Sequence, residues 1–205
     1  MIGVAATNMR TMDYDECTIA SYEPSTGLAE CLKALKGYHY GASSSSAADY
    51  GVDMRAEVWL MDRNIRIQAS TEEIGHVLQE PWGCQVLVAD FREPTDTKRR
   101  GSLNLDNVQV YNCSQKMTYK GAIRFEAATG AGSTISNSVI SSGRGMGIVV
   151  LDSANLVLRD NVIADFIQQG IWVQGSEAIT IDGNWVHHIP PEVDVVPQVR
   201  VYPIL

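Results

Sequence analysis

The sequence predicts an all-β chain folded as a right-handed parallel β-helix, a solenoid with coils of about 23 residues. Two observations carry this. Several independent columns repeat at one interval: Ile135, Leu158 and Ile181 lie 23 residues apart, as do Val139, Val162 and Trp185, and Ile140, Ile163 and Val186. Gly147 with Gly170, Ile148 with Ile171 and Val150 with Val173 keep the same spacing. The second is that no long stretch carries the 3.6-residue apolar period of an amphipathic helix, whereas short β-forming runs bounded by turn residues are frequent. A helix-free repeat of this length does not suit a leucine-rich or ankyrin array. It suits one turn of chain laying its strands on those of the turn before.

Taken in order, IGVAAT (2–7) and CTIASY (17–22) read as strands, and 28–35 is ambiguous. The run ASSSSAAD (42–49) reads as a flexible loop. AEVWLM (56–61), NIRIQA (64–69) and CQVLVADF (84–91) are rich in β-formers. A looser copy of the repeat begins at SLNLDNVQV and continues through Gly121–Phe125, with extra residues between its two strands. Three segments are expected: 1–50, a β segment leading into the solenoid; 51–189, the solenoid; and 190–205, an irregular tail.

One polar column accompanies the apolar ones. Asn161 and Asn184 share a slot, Ser138 occupies it one coil earlier, and Asn107 is assigned to it in the looser copy. Asn tolerates a left-handed bend, and stacked amides hydrogen-bond along a stack, so the column is expected to be a structural ladder.

Composition bounds the function. The 205 residues are 45% hydrophobic and 20% charged, which is ordinary for a globular chain of one domain or slightly more. A net charge of −8 argues against a nucleic-acid partner, which needs a concentrated basic face. The one basic cluster, Lys98–Arg100, lies in REPTDTKRRG and reads as a solvated loop. No apolar run approaches the roughly 18 residues of a membrane span, and the first residues lack the pattern of a signal peptide, so no membrane contact is expected of this segment.

Few constellations carry chemistry. Cys17, Cys31, Cys84 and Cys113 are widely spaced without a C-x-x-C pair, which argues against zinc. They fit two disulfides in an oxidising compartment or four small core residues in a reducing one. His187 and His188 are adjacent and point to opposite faces of a regular strand, so they cannot chelate one ion. His39, flanked by two tyrosines, reads as packed or capping a turn. In the strand Ala122–Glu126, alternation turns Ile123 and Phe125 inward and Arg124 and Glu126 outward. That pair is the candidate for binding a sugar carboxylate or for acid–base work; the competing reading is an exposed cross-strand ion pair. Asp152, Arg159, Asp160, Asp165 and Asp182 are candidates for a carboxylate-lined face, although Arg159 and Asp182 fall in equivalent slots of successive coils, as in a charge ladder. The glycine-rich stretch 143–147 lacks the following helix that a phosphate site needs. No cofactor, metal or nucleophile motif is present, and none of these groups is expected.

The segments VDMRAEVWLMDRNIRIQ, VQVYNCSQ, GAIRFEAATGAGSTISNSVI and AITIDGNWV resemble the parallel β-helix region of the fibrocystin and fibrocystin-L group. Cell-surface hyaluronidases share related segments, and ECTIAS…LKALKGYHYGA is similar to the part of those proteins that joins a preceding β-domain to the β-helix. The resemblance spans about 2–189, and its most specific piece is AEVWLMDRNIRIQ. It implies a fragment of a large extracellular or cell-surface protein, often ciliary, whose partners are neighbouring modules, other surface proteins or glycans. It also implies disulfides among the four cysteines and a glycosylation sequon at Asn112. The primary expectation is therefore a non-enzymatic structural or adhesive module. The alternative is a domain that binds or cleaves an acidic polysaccharide such as hyaluronan, although the histidine-bearing strand of the hyaluronidases is replaced here by Ala122–Glu126. A cytosolic repeat scaffold is the third reading.

Overall fold

A computed structural model describes residues 1–8, 14–41, 54–69, 83–130, 132–189 and the backbone of 200–201. Its chain separates into two compact units, 1–62 and 63–205. The loop expected at 42–49 and the expected boundary at 50/51 lie outside the described residues.

The first unit holds β1 (Ile2–Val4), β2 (Asp15–Cys17), β3 (Ile19–Glu23), β4 (Leu28–Cys31) and β5 (Val58–Leu60). β1 lies between β2 and β5 in an antiparallel sheet, so the VWL part of the AEVWLM block belongs to this unit. β3 and β4 form a separate two-stranded ribbon. A ribbon of two strands is marginal on its own, and the Cys17–Cys31 disulfide closes its base.

The second unit is the solenoid. It begins with β6 (Ile65–Gln68) and β7 (Val86–Ala89), followed by a short hairpin of β8 (Phe91–Arg92) and β9 (Lys98–Arg99). Three-stranded coils follow: β10 (Asn104–Asp106), β11 (Val108–Tyr111) and β12 (Ile123–Glu126); then β13 (Ser133–Ser136), β14 (Val139–Gly143) and β15 (Ile148–Leu151). The next is β16 (Ala154–Arg159), β17 (Val162–Phe166) and β18 (Ile171–Gln174), and the last is β19 (Glu177–Asp182), β20 (Trp185–His187) and β21 (Arg200–Val201). Like strands stack into three parallel sheets, in the orders β10-β13-β16-β19, β6-β11-β14-β17-β20 and β7-β12-β15-β18-β21.

The repeat columns are strand registers. Ile135 pairs with Leu158 and Leu158 with Ile181; Ile140 pairs with Ile163 and Ile163 with Val186; Ile148 pairs with Ile171. The looser copy is in register too, Leu105 on Ile135 and Ile123 on Ile148. Inward columns make one apolar core in which Val110, Ile123, Phe125, Ile140, Leu158 and Phe166 are fully buried. Each such side chain contributes roughly 1.5–3 kcal/mol by leaving water. At Gly143 an added Cβ would fall 1.9 Å from the Phe166 ring, so the glycine makes room for the ring of the next coil.

Every coil turns through left-handed residues, and these stack. One corner uses Asn107, Asn137, Asp160 and Gly183 (φ 59°, 50°, 54° and 62°). A second uses Asn112, Ser142, Asp165 and His188, and a third Ala127, Asp152 and Gly175. At Gly183 an added Cβ would also lie 2.2 Å from Asp160 Oδ1 of the coil before, so position and neighbour both select glycine.

The polar ladder stands one residue after the first corner. The Val108 N–H donates to Ser138 Oγ (3.1 Å), the Ser138 N–H to Asn161 Oδ1 (3.0 Å), and the Asn161 N–H to Asn184 Oδ1 (3.1 Å). Asn161 Nδ2 donates to Ile135 O (2.8 Å) and Asn184 Nδ2 to Leu158 O (2.7 Å). Asn107 therefore does not share the slot of Asn161. It heads the neighbouring left-handed column, because register places Gln109 on Val139 and hence Val108 on Ser138. The ladder residues carry amides to coil neighbours, and the left-handed bend falls on the residue before them.

The third corner repeats the device without asparagine: the Ala128 N–H donates to Ser153 Oγ (3.1 Å) and the Ser153 N–H to Ser176 Oγ (3.1 Å). Two expectations are corrected here. The charged stretch at 92–101 includes an ordered hairpin, with Phe91 on Arg99 and Arg92 on Lys98. The segment expected as an irregular tail contains β21, whose Arg200 and Val201 pair with Trp172 and Val173, because the open edge of β18 offers backbone groups to a further strand.

Asn161→Ala should lower unfolding free energy by about 2–4 kcal/mol in chemical denaturation, because it orphans the buried Ser138 N–H and Ile135 carbonyl. Asn107→Ala, which removes only an exposed side chain at a left-handed bend, should cost about 1 kcal/mol.

Candidate functional site

The outward face of the third sheet brings the candidate pair together. Ile123 and Phe125 are buried, while Arg124 Nη2 lies 2.8 Å from Glu126 Oε2. The two residues are on one strand, two positions apart, so the contact runs along β12 and not across strands. With side-chain exposures of 19% and 48%, the pair contributes at most about 1 kcal/mol. Arg124 Nε is buried and has no hydrogen-bond partner. Beside Arg124 the register places Leu87 and Val149; beside Glu126 it places Ala89 and Leu151. No second carboxylate stands in either column among the described residues, whereas glycoside hydrolysis ordinarily uses two.

Of the seven extra residues of the looser coil, five lie between its second and third strands, where they cover part of this face, and two lie between its third strand and the next coil. The coil-to-coil interval is 30 from Leu105 to Ile135 and 25 from Ile123 to Ile148. The insertion closes on itself: the Gln115 N–H donates to Lys120 O (3.0 Å), and the Thr118 hydroxyl donates to Gln115 O (3.0 Å). It is held to the following coils by the Met117 N–H to Gln168 Oε1 (3.1 Å) and by the Gly145 N–H to Ser114 Oγ (2.7 Å). Tyr119 meets Trp172 with ring centroids 6.1 Å apart, and outward-facing Val149 is fully buried. The sequence reading missed Val149, Trp172 and Tyr119. The available signal was apolar residues at outward positions of β15 and β18, which marks a strand covered on both faces.

The remaining carboxylates do not share a cleft. Asp160 is at the first corner with Asp182 just before it, Asp165 is at the second and Asp152 at the third. Arg159 Nε and Asp182 Oδ2 are 3.4 Å apart across adjacent coils and largely exposed. Asp106 accepts from the Asn137 amide (2.8 Å) and the Ser136 hydroxyl (3.0 Å), which holds its pKa below the ordinary value. Asp90 anchors the hairpin: its carboxylate accepts from the Gly101 N–H (2.9 Å) and the Thr129 hydroxyl (2.9 Å), with Lys98 Nζ at 3.7 Å. Burial works to raise its pKa, but these donors outweigh it and the net shift is downward.

The histidines divide between the units. His39 Nδ1 lies 2.7 Å from Ala5 O and Nε2 2.8 Å from Asp15 Oδ2, which also accepts the Lys36 and Gly37 N–H groups at 2.7 Å each. For Asp15 burial acts upward, and the Gly37, His39 and Lys36 donors bring the pKa below its usual value. His188 pairs with Asp165. His187 is held neutral: burial, reinforced by the charge of His188, pushes its pKa down to about 3. Among the described residues no group of three His, Cys, Asp or Glu side chains is placed to hold a metal ion.

Cys84 and Cys113, on adjacent coils, form the second disulfide. Of the sequon residues, Asn112 is left-handed and accepts Arg144 Nε at 3.3 Å through Oδ1, while Ser114 is fully buried.

Comparison with known proteins agrees with this architecture. Residues 93–192 match the family model described as a right handed beta helix region. The chain is 30% identical to fibrocystin of Mus musculus over 142 residues, which is 69% of this chain and 3% of that protein. It is 25% identical to fibrocystin of Canis lupus familiaris over 182 residues, 83% of this chain and 4% of that protein. The chain thus spans a few per cent of these relatives' length. No solved structure matches.

Because His187 is neutral when folded and titrates near 6.5 when unfolded, its contribution is intact above pH 6.5 and declines as pH falls towards 3. Between pH 7 and pH 5 the wild type should lose on the order of 1–2 kcal/mol from this group. His187→Phe should flatten that part of the profile when urea midpoints are compared across the range. An unchanged slope would show that the imidazole is not buried neutral.

Proposed function

We propose that this fibrocystin-like right-handed β-helix region serves as a structural and adhesive module of a larger extracellular or cell-surface protein. It acts as a stiff spacer whose loops and outer faces meet neighbouring modules, surface proteins or glycans. The observation that supports this reading best is the continuity of the three sheets and their corner ladders through successive coils. Side chains that a catalyst would keep poised are committed elsewhere: the polar column binds backbone of the neighbouring coil, and Arg124 binds Glu126 along its own strand. Two disulfides and no free cysteine among the described residues favour an oxidising compartment. A ciliary surface and a glycan at Asn112 belong to the same proposal and rest on the sequence resemblance alone.

The second reading, an acidic-polysaccharide domain, rests on Arg124, whose buried Nε has a donor to spare, beside half-exposed Glu126. Sizing of hyaluronan and pectic polymers after incubation with the chain separates the two. The structural reading expects unchanged polymer length. Depolymerisation that Glu126→Gln abolishes would overturn it. Mass spectrometry of native material should find no free thiol; four free thiols would favour the cytosolic scaffold.

A further inference from the structure

Charge is unevenly placed along this acidic chain. Residues 84–151 hold eight Lys and Arg against five Asp and Glu, while the rest holds eight against nineteen. The excess lies on the hairpin at the third sheet's downstream corner, where four cations face three carboxylates and Arg92, Lys98 and Arg99 pair with Asp96, Asp90 and Glu93, and on the insertion at its upstream edge, which holds Lys116 and Lys120 and no carboxylate. The same region carries exposed apolar side chains: Leu87, Phe91, Met117 and Tyr119 are 56%, 60%, 67% and 48% exposed. Four large apolar groups among cations on one side of a solenoid mark a surface that associates with something acidic and apolar. Leu and Met favour a protein surface over a sugar polymer, which aromatic rings alone would serve.

The chain itself carries the complementary element. Residues 14–32 hold Asp15, Glu16, Glu23 and Glu30 and no Lys or Arg. Their centre is the β3–β4 ribbon, exposed on both faces, with Tyr22, Leu28 and Leu32 each at least 60% exposed. The ribbon is held in shape by the Cys17–Cys31 disulfide, so it presents this surface with little ordering cost.

We infer that the chain associates head to tail with a second copy, the acidic ribbon of one docking on the basic hairpin and insertion that flank the next copy's third sheet, against the exposed Leu87, Phe91, Met117 and Tyr119. Such a contact joins two different surfaces, so it propagates into rings or filaments unless capped. Sedimentation velocity across a concentration series tests it. At ~0.05 M salt the mass should rise with concentration above that of the monomer, and at ~0.5 M salt it should return to monomer. Glu16→Lys with Glu30→Lys, or Lys98→Glu with Arg100→Glu, should each weaken association by about tenfold or more, and mixing the two variants should restore it. Leu87→Ser with Phe91→Ser changes no charge and should weaken association without removing its salt dependence. Circular dichroism of each variant controls for folding. A monomer at every concentration, or aggregation indifferent to salt and to both reversals, would overturn the inference; the latter would indicate edge-to-edge stacking of coil ends instead.

Discussion

The structure depends on one constraint: each coil must leave its corner with its strands in register on the coil before. A parallel sheet slipped by one residue would turn every core side chain outward. The first and third corners prevent that slip by a two-residue device. A left-handed residue makes the bend, and the next residue offers a side-chain oxygen to the backbone N–H of the preceding coil. The hydrogen bond that closes the corner therefore also counts residues. Because corner amides are buried or half-buried, leaving them unpaired would cost as much as a lost core contact. The apolar columns supply the energy of the solenoid, while the corners decide which pairing that energy stabilises.

This division explains which parts were legible in sequence. Core columns repeat the same chemical class at a fixed interval, so Ile135, Leu158 and Ile181 declare themselves. The bend column does not, because a left-handed backbone is met by Asn107, Asn137, Asp160 and Gly183 in turn, and only the backbone angle is common to them. Asn107 belongs to this bend column although its side chain suggests the ladder: it is an asparagine beside an asparagine ladder, one residue out of step. The Ser153 and Ser176 ladder is likewise silent, since serine is ordinary in any turn. Val149 and Trp172 sat in plain view as apolar residues at outward positions, yet a rule that assigns outward residues to solvent passes over them. The hairpin at 91–99 reads as a loop because its strands are short and its charges are the usual mark of solvated chain; ion pairs such as Arg99 with Glu93 at 2.8 Å order part of it.

The same division bears on function. Where the repeat is regular, side chains are committed to the rod: inward to the core, or at corners to the backbone. Where it breaks, the chain is released from that duty. The insertion around Met117 and Tyr119 and the hairpin around Phe91 are such breaks, and they gather most of the exposed apolar side chains described in the second unit. The third sheet's face between them includes the Arg124–Glu126 pair. A module of this kind is specified by its irregularities: the solenoid sets their spacing, and the interruptions set what they meet.

Hydrogen–deuterium exchange at single-amide resolution tests the central claim most directly. The account predicts that the corner amides of Ser138, Asn161 and Ser153 are protected to the same degree as the strand amides of Ile140, Ile163 and Ile171, because they open only when neighbouring coils part. If those corner amides exchange at the rates of solvated turns while the strands remain protected, the corners do not hold the register and the account is wrong.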